Sequence, residues 1–241
     1  MKAWQFLLRA AMCGTASLFW FGCLTTPASE TGWSGRARQQ APGVCSNAAD
    51  ALIEDAEDGD TRGLVRAKRG GYWFSFVDSS GSTLEPPQGS FKMAEPGHNG
   101  SNHAARMRGR AAPGGDSVYA GIGLSLAEPR GAYDASRYDG VSFWAKGPAH
   151  VRLEIPDGYT APEGRKCKDC YNDFGIELAL AAGWQRYTVK FEWLSQRQGW
   201  GDPRPEITRE ELYAIEWQFG TPARDFDVWL DDVSFTCGEA P

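Results

Sequence analysis

The stretch FDVWLDDVSF at residues 226–235 decides the fold, because it is the clearest strand in the sequence. Its apolar and polar residues alternate, and successive strand residues point to opposite faces of a sheet. One face therefore carries Phe226, Val228 and Leu230. Asp232 lies two positions further along and falls on that same face. A buried carboxylate is costly unless it is compensated. Asp232 is thus expected to turn out at the edge of the sheet, to find a hydrogen-bonded cation or to help hold a metal ion.

A second acidic segment, LIEDAEDGD at residues 52–60, lies at the other end of the domain. We expect it to meet the last strand, because antiparallel neighbours bring the start of one strand near the end of the other. The last strand is then expected to form the closing edge of a sheet, next to the first strand.

Four further segments alternate between apolar and polar residues, as strands with one core face and one polar face do. Their apolar positions are Val141, Phe143 and Ala145; Val151, Leu153 and Ile155; Tyr187, Val189 and Phe191; and Tyr213, Ile215, Trp217 and Phe219. The 29 glycines and 14 prolines indicate short elements joined by turns. The one convincing helix is a single turn from Arg209, where Thr208 and Glu211 have capping-box spacing. No alternation of strands and helices suggests a parallel sheet, so the predicted fold class is an all-β antiparallel β-sandwich.

The N-terminal residues predict export. Lys2 and Arg9 precede an apolar run at 10–22, which is typical of a secretory signal peptide and too short to span a bilayer. Cleavage after Gly22 would leave Cys23 as the lipidated N-terminus of a cell-envelope lipoprotein, whereas cleavage after Ala28 would release a secreted protein. Both remain open.

The predicted domain organisation has three parts. They are a signal peptide at 1–28 (ending at 22 if the protein is lipidated), a flexible tether at 29–46 and a β-sandwich domain at 47–238. The net charge of -6 argues against a nucleic-acid partner, because phosphate binding needs a basic surface. A membrane partner is expected only through the N-terminal lipid.

Four cysteines fall outside the signal region, and in an exported protein disulfides are the default. We favour Cys45 with Cys237, which flank the outermost strands, and Cys167 with Cys170 as a short loop clip. The rival is a zinc site that uses Cys167 and Cys170 with two of the three histidines, His98, His103 and His150, although these histidines lack metal-ligand spacing.

Several segments together resemble a known group. They are YDASxYDGxSFWAKG at 133–147, DGYTAPEG at 157–164, CxxCxxDFG at 167–175, FxxLxQxxGWG at 191–201 and the closing stretch at 226–235. This combination resembles the galactose-binding-like jelly rolls of exported bacterial proteins, and is most similar to family 11 carbohydrate-binding modules and CIA30-like domains. The resemblance implies a β-sandwich that binds a polysaccharide or oligosaccharide without catalysis.

Sugars bind through their C–H faces on aromatic rings and through planar polar side chains that take several hydroxyls. The polar strand faces and nearby loops supply the predicted carbohydrate-binding residues: Trp144, Arg152, Glu154, Asp157, Tyr159, Tyr171, Trp200, Glu216 and Gln218. We assign Trp184 and Trp217 to the core.

The resemblance also implies a structural calcium ion near the first and last strands. Its expected ligands are Asp55 or Glu57 with Asp232, together with backbone carbonyls. If Cys45 and Cys237 are directly opposed, antiparallel counting sets Asp232 against Asp50 rather than Glu57. Either a bulge or a loop must then intervene, or one of these two assignments is wrong.

Two other classes of function remain as alternatives. A protein-interaction or assembly domain is suggested by the CIA30-like relatives. A glycan-degrading enzyme needs two carboxyl groups roughly 5 to 9.5 Å apart across the scissile bond, and no sequence signature selects such a pair. We therefore predict that the chain is not an enzyme.

Overall fold

Alternating apolar residues build two antiparallel sheets that pack face to face around one core. The computed structural model describes residues 48–113, 118–147, 149–219 and 225–237, which all lie in one unit of the chain, Gln40–Pro241. The predicted all-β antiparallel sandwich is confirmed.

Some predictions fall outside the described residues. They concern the signal peptide, the tether and the lipid anchor at Cys23. Cys45 is outside them as well, so its pairing with Cys237 stays a prediction.

The elements of the described residues, in chain order, are the helical turn α1 (Ala48–Ala51) and the strands β1 (Leu52–Glu54), β2 (Trp73–Val77), β3 (Thr83–Glu85), β4 (Met93–Ala94), β5 (Ala104–Arg110), β6 (Ala120–Ser125), β7 (Gly140–Lys146), β8 (His150–Ile155), β9 (Phe174–Ala179), β10 (Gln185–Lys190), β11 (Ala214–Phe219) and β12 (Asp225–Thr236). Short 3-10 turns lie at His98–Gly100, Pro162–Gly164, Phe191–Trp193 and Arg209–Glu211. The turn predicted from Arg209 is present, but the Thr208 side chain makes no capping hydrogen bond. Nowhere in the described ranges is a helix long and apolar enough to cross a membrane.

The two sheets differ in size. The seven-stranded sheet has the order β10-β7-β12-β5-β3, with β1 paired to β12 and β4 paired to β5. The five-stranded sheet has the order β2-β6-β11-β8-β9. Strands β7 and β10 therefore belong to one sheet, and β8 and β11 to the other. Their polar faces consequently lie on opposite sides of the sandwich.

Aromatic side chains from both sheets meet in the core. Trp217 of β11 is fully buried and contacts Phe143 of β7 edge to face, with ring centroids 5.2 Å apart. Trp73 of β2 stacks on the same indole at 5.8 Å. Burying a large apolar side chain contributes about 1.5–3 kcal/mol, so this contact between the layers fixes how the sheets pack. The core assignment of Trp217 is confirmed.

The last strand differs from its prediction in two ways. β12 lies in the middle of the seven-stranded sheet, between β7 and β5, rather than at an edge. A bulge also interrupts its alternation: Asp232 has φ +48°, and the register with β7 shifts between Asp231 and Ser234. The bulge turns Asp232 outward and lets Val233 take the core position that counting by two gave to Asp232.

The acidic segment does meet the last strand, as predicted. β1 pairs with β12 antiparallel, with Leu52 opposite Ser234 and Glu54 opposite Val233. The register shifts between these two pairs, so the pairing of β1 with β12 is irregular.

Candidate functional site

A groove with a volume of about 1480 Å³ lies over the outer face of the five-stranded sheet. Side chains along β8 and β11 alternate between the core and the outer face of the sheet, and those on the outer face form the floor of the groove. The floor consists of Arg152, Glu154, Glu216 and Gln218, with Glu216 opposite Glu154 and Gln218 opposite Arg152 in the strand pairing. Sequence analysis predicted all four residues, and the structure brings them together.

One wall of the groove is aromatic. Phe74 and Phe76 project from β2, with ring centroids 6.1 Å apart, and Phe76 lies 6.3 Å from Tyr119. The rings lie over β6, where a Cβ at Gly121 would be 2.2 Å from Phe76 Cζ and a Cβ at Gly123 would be 2.4 Å from Phe74 Cζ. Glycine at these two positions therefore gives the rings their space.

Arginines neutralise the acidic residues of the floor. Arg130 Nη2 donates to Glu216 Oε1 at 2.9 Å, and Arg152 Nε donates to Glu154 Oε1 at 2.9 Å. Arg197 Nη2 lies 3.6 Å from the same Glu154 oxygen. These pairs fix the guanidinium and carboxylate planes, which leaves planar polar groups at the bottom of the groove.

The burial of this floor disfavours negative charge. Burial raises the pKa of Glu154 to about 7, against the opposing charges of Arg197 and Arg152. Burial also raises the pKa of Glu216, against the charge of Arg130. The two glutamates thus share a site in which ionisation depends on their arginine partners.

Asp173 lines the groove next to these glutamates, immediately before β9. It is 6% exposed, and its Oδ1 has no hydrogen-bond partner within the described structure. Burial, followed by the charge of Glu216, raises its pKa to about 8. Its environment therefore favours the protonated form of the carboxyl group.

The opposite side of the groove is a rim formed by two exposed rings, Tyr171 and Trp200. Tyr171 is 68% exposed and Trp200 is 43% exposed. They project from two loops, at 167–173 and 195–204, which we call the rim loops. Both rings were predicted as binding residues, and both line the groove.

The disulfide predicted between Cys167 and Cys170 is confirmed, with the Cα atoms 5.2 Å apart. It closes the first rim loop, and Cys170 lines the groove beside Tyr171. Since both sulfurs are in the disulfide, neither is a thiolate ligand for the rival zinc site in this structure.

Three predicted binding residues lie outside the groove. Trp144 projects from β7 on the outer face of the seven-stranded sheet, because β7 belongs to the other layer of the sandwich. Asp157 is fully buried and accepts hydrogen bonds from the backbone N–H groups of Tyr159 and Thr208 at 2.8 and 2.7 Å. The Tyr159 ring is covered by the guanidinium of Arg204 at 3.7 Å. Asp157 and Tyr159 therefore stabilise the turn that follows β8 rather than line the groove.

The outer face of the seven-stranded sheet carries three half-buried indoles, Trp144, Trp184 and Trp229, which we call the tryptophan face. The His98 ring stacks on Trp144 at 3.8 Å. Lys146 Nζ lies 4.7 Å from the Trp184 centroid and 4.4 Å from the Trp229 centroid. The core assignment of Trp184 is thus wrong. Its ring lies outside the sandwich, where a cation covers it.

Among the predicted calcium ligands, Glu57 is held by hydrogen bonds within the protein. Glu57 accepts hydrogen bonds from the Ser101 hydroxyl and from Asn102, whose N–H and Nδ2 lie 3.0 and 2.9 Å from its carboxylate oxygens. In the described part of the chain, no group of three His, Cys, Asp or Glu side chains has the geometry to hold a metal ion. Asp55 and Glu57 are nevertheless close enough to contribute, after burial, to a raised pKa of Asp232.

Glu54 is an acidic residue of the same segment that sequence analysis did not select. Its Oε1 accepts a hydrogen bond from the Ala56 N–H at 2.6 Å, and its Oε2 is buried without a hydrogen-bond partner in the described structure. Burial raises its pKa to about 8. Burial thus favours the neutral form of this carboxyl group.

Sequence analysis missed several residues that line the groove: Phe74, Phe76, Tyr119, Arg130, Asp173 and Arg197. The alternation of Tyr72, Phe74 and Phe76 gave a signal, since it marks one aromatic face of β2. Gly121 and Gly123 of β6 gave a second signal, because they permit a close approach to the backbone. Arg130 and Arg197 lie on loops and gave no periodic signal.

Comparison with known proteins yields matches among solved structures. The sequence matches no protein-family model, and a search of curated proteins finds no match. The family 11 carbohydrate-binding module of the cellulosomal cellulase Lic26A-Cel5E of Clostridium thermocellum superposes with a TM-score of 0.55 at 14% identity, over 78% of this chain and 95% of that one.

Two further solved structures are similar. The family 11 module from Clostridium thermocellum in complex with a β-1,3-1,4-mixed-linked tetrasaccharide gives a TM-score of 0.52 at 15% identity, over 78% of this chain and 95% of that one. The family 30 module of the cellulosomal cellulase Cel9D-Cel44B of Clostridium thermocellum gives 0.50 at 14% identity, over 70% and 92%. The chain therefore has the galactose-binding-like jelly-roll fold of these carbohydrate-binding modules.

Proposed function

We propose that the protein binds a polysaccharide or oligosaccharide in the groove and does not cleave it. The observation that carries this proposal is the combination of exposed rings on the rim, an aromatic wall on β2 and a floor of hydrogen-bonded polar side chains. The similar solved structures are carbohydrate-binding modules, which supports the same conclusion.

The groove chemistry suits a sugar chain. A pyranose ring presents apolar C–H faces, which stack on aromatic rings such as those of Tyr171 and Trp200, and a belt of hydroxyls. Gln218 and the arginine-paired glutamates supply planar donors and acceptors for such hydroxyls. A groove that is open along its length accepts an internal part of a chain as well as its end.

Retention of the protein on insoluble and soluble glycans tests the proposal. The panel includes plant, fungal and bacterial polysaccharides, with mixed-linked β-1,3-1,4-glucan among them because a family 11 module binds a tetrasaccharide of that type. We expect retention on at least one glycan and a loss of retention for Trp200→Ala. If nothing on the panel retains the protein, the carbohydrate-binding proposal fails.

The same panel separates binding from catalysis. Glu154, Asp173 and Glu216 place three carboxyl groups along the groove, and a glycosidase needs two of them at a suitable separation. Glu154 and Glu216 are each paired with an arginine, which fits a binding role. Release of reducing sugar from a retained glycan, abolished by Glu154→Gln or Glu216→Gln, would make the protein an enzyme.

We also propose that a calcium ion stabilises the fold at the acidic segment near β1. Support comes from the unpartnered Oε2 of Glu54 and from the charges of Asp55 and Glu57, which contribute to the raised pKa of Asp232. An ion that binds only the folded state raises the melting temperature. Calcium should therefore raise the melting temperature of chelator-treated protein, and less so in Glu54→Gln. An unchanged melt would remove calcium from the proposal.

Export completes the proposal, as a secreted protein or as a lipoprotein anchored at Cys23. Its support is the charged start and apolar run at the N-terminus. Mass spectrometry of the mature protein from its host distinguishes the two. A diacylglycerol adduct on Cys23 indicates the lipoprotein, and a free N-terminus after Ala28 indicates the secreted form. An intact Met1 contradicts both.

A further inference from the structure

The two rim loops are hydrogen-bonded to each other, and the second is also paired with β9 through Ser195 and Gly175. Asn172 is almost fully buried between the loops. Its Nδ2 donates to the carbonyl oxygens of Arg197 at 2.9 Å and Trp200 at 2.7 Å, and its Oδ1 accepts from the Arg197 N–H at 2.9 Å. One side chain of the first rim loop thus holds the backbone of the second at three points, including the residue that carries the rim indole.

Further bonds cross between the loops on both sides of Asn172. Gln196 Nε2 donates to the Asn172 carbonyl at 2.8 Å. Asp202 Oδ2 accepts from the Lys168 N–H at 2.6 Å, and Asp169 Oδ2 accepts from the Gly201 N–H at 2.9 Å. The loops therefore form one cross-linked unit, although they are far apart in sequence.

Tyr171 lies at the centre of this unit in a costly backbone conformation. Its φ is +75°, in the left-handed region that a bulky L-residue rarely adopts, at a cost of about 1–3 kcal/mol. The Cys167–Cys170 disulfide precedes it directly and Asn172 follows it. The Tyr171 N–H donates to the Thr160 carbonyl at 2.9 Å. A ring that is 68% exposed has little packing of its own to hold such a conformation, so the neighbouring constraints must hold it.

We propose that Asn172 and the Cys167–Cys170 disulfide are positioning elements that hold Tyr171 and Trp200 as a preformed aromatic rim for the glycan. This inference rests on the proposed function. It gives the disulfide clip a role in binding rather than in the stability of the sandwich. Preformed rings avoid the ordering cost that mobile ones add to association.

Two variants release the rim and keep both rim rings; Asn172 lies outside the groove lining, whereas Cys170 is part of it. Asn172→Asp keeps the acceptor to the Arg197 N–H but replaces the amide that donates to the Arg197 and Trp200 carbonyls. The double variant Cys167→Ser, Cys170→Ser opens the clip and leaves any other disulfide intact, which a reductant would not do. Asn102→Asp serves as the control. It makes the same amide-to-carboxylate change at a residue that donates to Glu57 and that does not line the groove.

Calorimetric titration with a glycan from the panel measures the effect. Each rim variant should bind about tenfold more weakly, with a more unfavourable entropy, because ordering the two side chains is added to the cost of association. The control should bind as the wild type does. Unchanged affinity in both rim variants overturns the inference.

A double-mutant cycle tests whether Asn172 affects glycan affinity through the rim rings. If Asn172 acts through the rim rings, Asn172→Asp should cost much less in a Trp200→Ala background than in the wild type. Additive effects in the two backgrounds overturn the positioning role.

Hydrogen exchange provides a readout that needs no glycan. Both rim variants should lose protection at the Arg197 and Gly201 N–H groups, while the strands of both sheets keep theirs. Wild-type protein that binds no glycan on the panel would refute the proposed function. Unchanged protection in the variants would refute the cross-linked rim, whatever the glycan result.

Discussion

The two outer faces of the sandwich both carry aromatic rings, yet they differ in what lies against those rings. On the tryptophan face, His98 stacks on Trp144, while Lys146 lies over Trp184 and Trp229. In the groove, the rings of Tyr171 and Trp200 project 68% and 43% exposed beside a polar floor. A sugar needs an open ring face and hydroxyl partners next to it, and only the groove combines the two.

The faces also differ in how their acidic residues are held. The carboxyl groups of Glu154, Asp173 and Glu216 are buried under loops, and burial raises their pKa values. On the seven-stranded sheet, Asp227 is half exposed, and its hydrogen bonds with Arg106 lower its pKa. The groove floor on the five-stranded sheet thus disfavours negative charge. The outer face of the seven-stranded sheet carries surface ion pairs such as that between Arg106 and Asp227.

Removing rings from each face tests the difference most directly, and we expect the largest effect here. Tyr171→Ala and Trp200→Ala should each weaken glycan binding by about ten- to a hundredfold, equivalent to about 1.4–2.8 kcal/mol, since each deletes an open stacking face. Trp144→Ala should leave affinity within about twofold. Titration calorimetry measures all three. A loss for Trp144→Ala without a loss for Tyr171→Ala or Trp200→Ala would place the binding surface on the other sheet.

Much of the fold is encoded in patterns that sequence analysis detects. The period-two alternation predicted β7, β8, β10 and β11, because each has one face in a continuous core. The short strands β3 and β4 and the mixed-composition β9 gave no such pattern. They form because neighbouring strands offer them unpaired backbone groups, which is a tertiary effect.

The site was predictable only in part, because alternation shows that a strand has a polar face but not which sheet the strand joins. Trp144 and Glu216 looked equivalent on that basis, and the topology placed them on opposite sides of the molecule. The position of the bulge at Asp231 and Asp232 was equally hidden, because a residue at positive φ other than glycine has no composition signal. Asp173 was overlooked because its burial comes from the loops that cover it.

The free energy of unfolding should depend on pH in opposite senses for Asp173 in the groove and Asp227 on the other face. The size of this effect should lie between those of the other two predictions. Asp173 has a pKa of about 8 when folded against an ordinary value of 3.8, so the folded state binds more protons between these values. Its contribution to stability therefore falls as pH rises through that window. Asp227 behaves in the opposite sense, because its lowered pKa gives stability that is present at neutral pH and lost on acidification.

Urea unfolding at pH 5 and pH 8 measures this difference. Asp173→Asn should be more stable than the wild type at pH 8 by about 1–3 kcal/mol, and the gain should shrink at pH 5, because pH 5 lies closer to the ordinary pKa of the unfolded carboxyl and the folded wild-type carboxyl keeps its proton there. Asp227→Asn should show no gain at pH 8. A gain for Asp173→Asn that is equal at both pH values would mean that Asp173 does not titrate as proposed.

The smallest effect should come from uncovering the tryptophan face. Lys146→Met removes the ammonium from Trp184 and Trp229 but keeps a long apolar stem over both rings, so unfolding should become easier by only about 0.5–1 kcal/mol. Glycan affinity should not change. The decisive background is Trp200→Ala, in which the groove binds weakly. If Lys146→Met restores retention there, coverage by the cation is what keeps this face from binding sugar. If it does not, as we expect, the ammonium of Lys146 is not what keeps this face from binding sugar, because His98 still stacks on Trp144 and the Arg106 guanidinium still lies 4.5 Å from the Trp229 centroid, whereas Tyr171 and Trp200 in the groove have open ring faces.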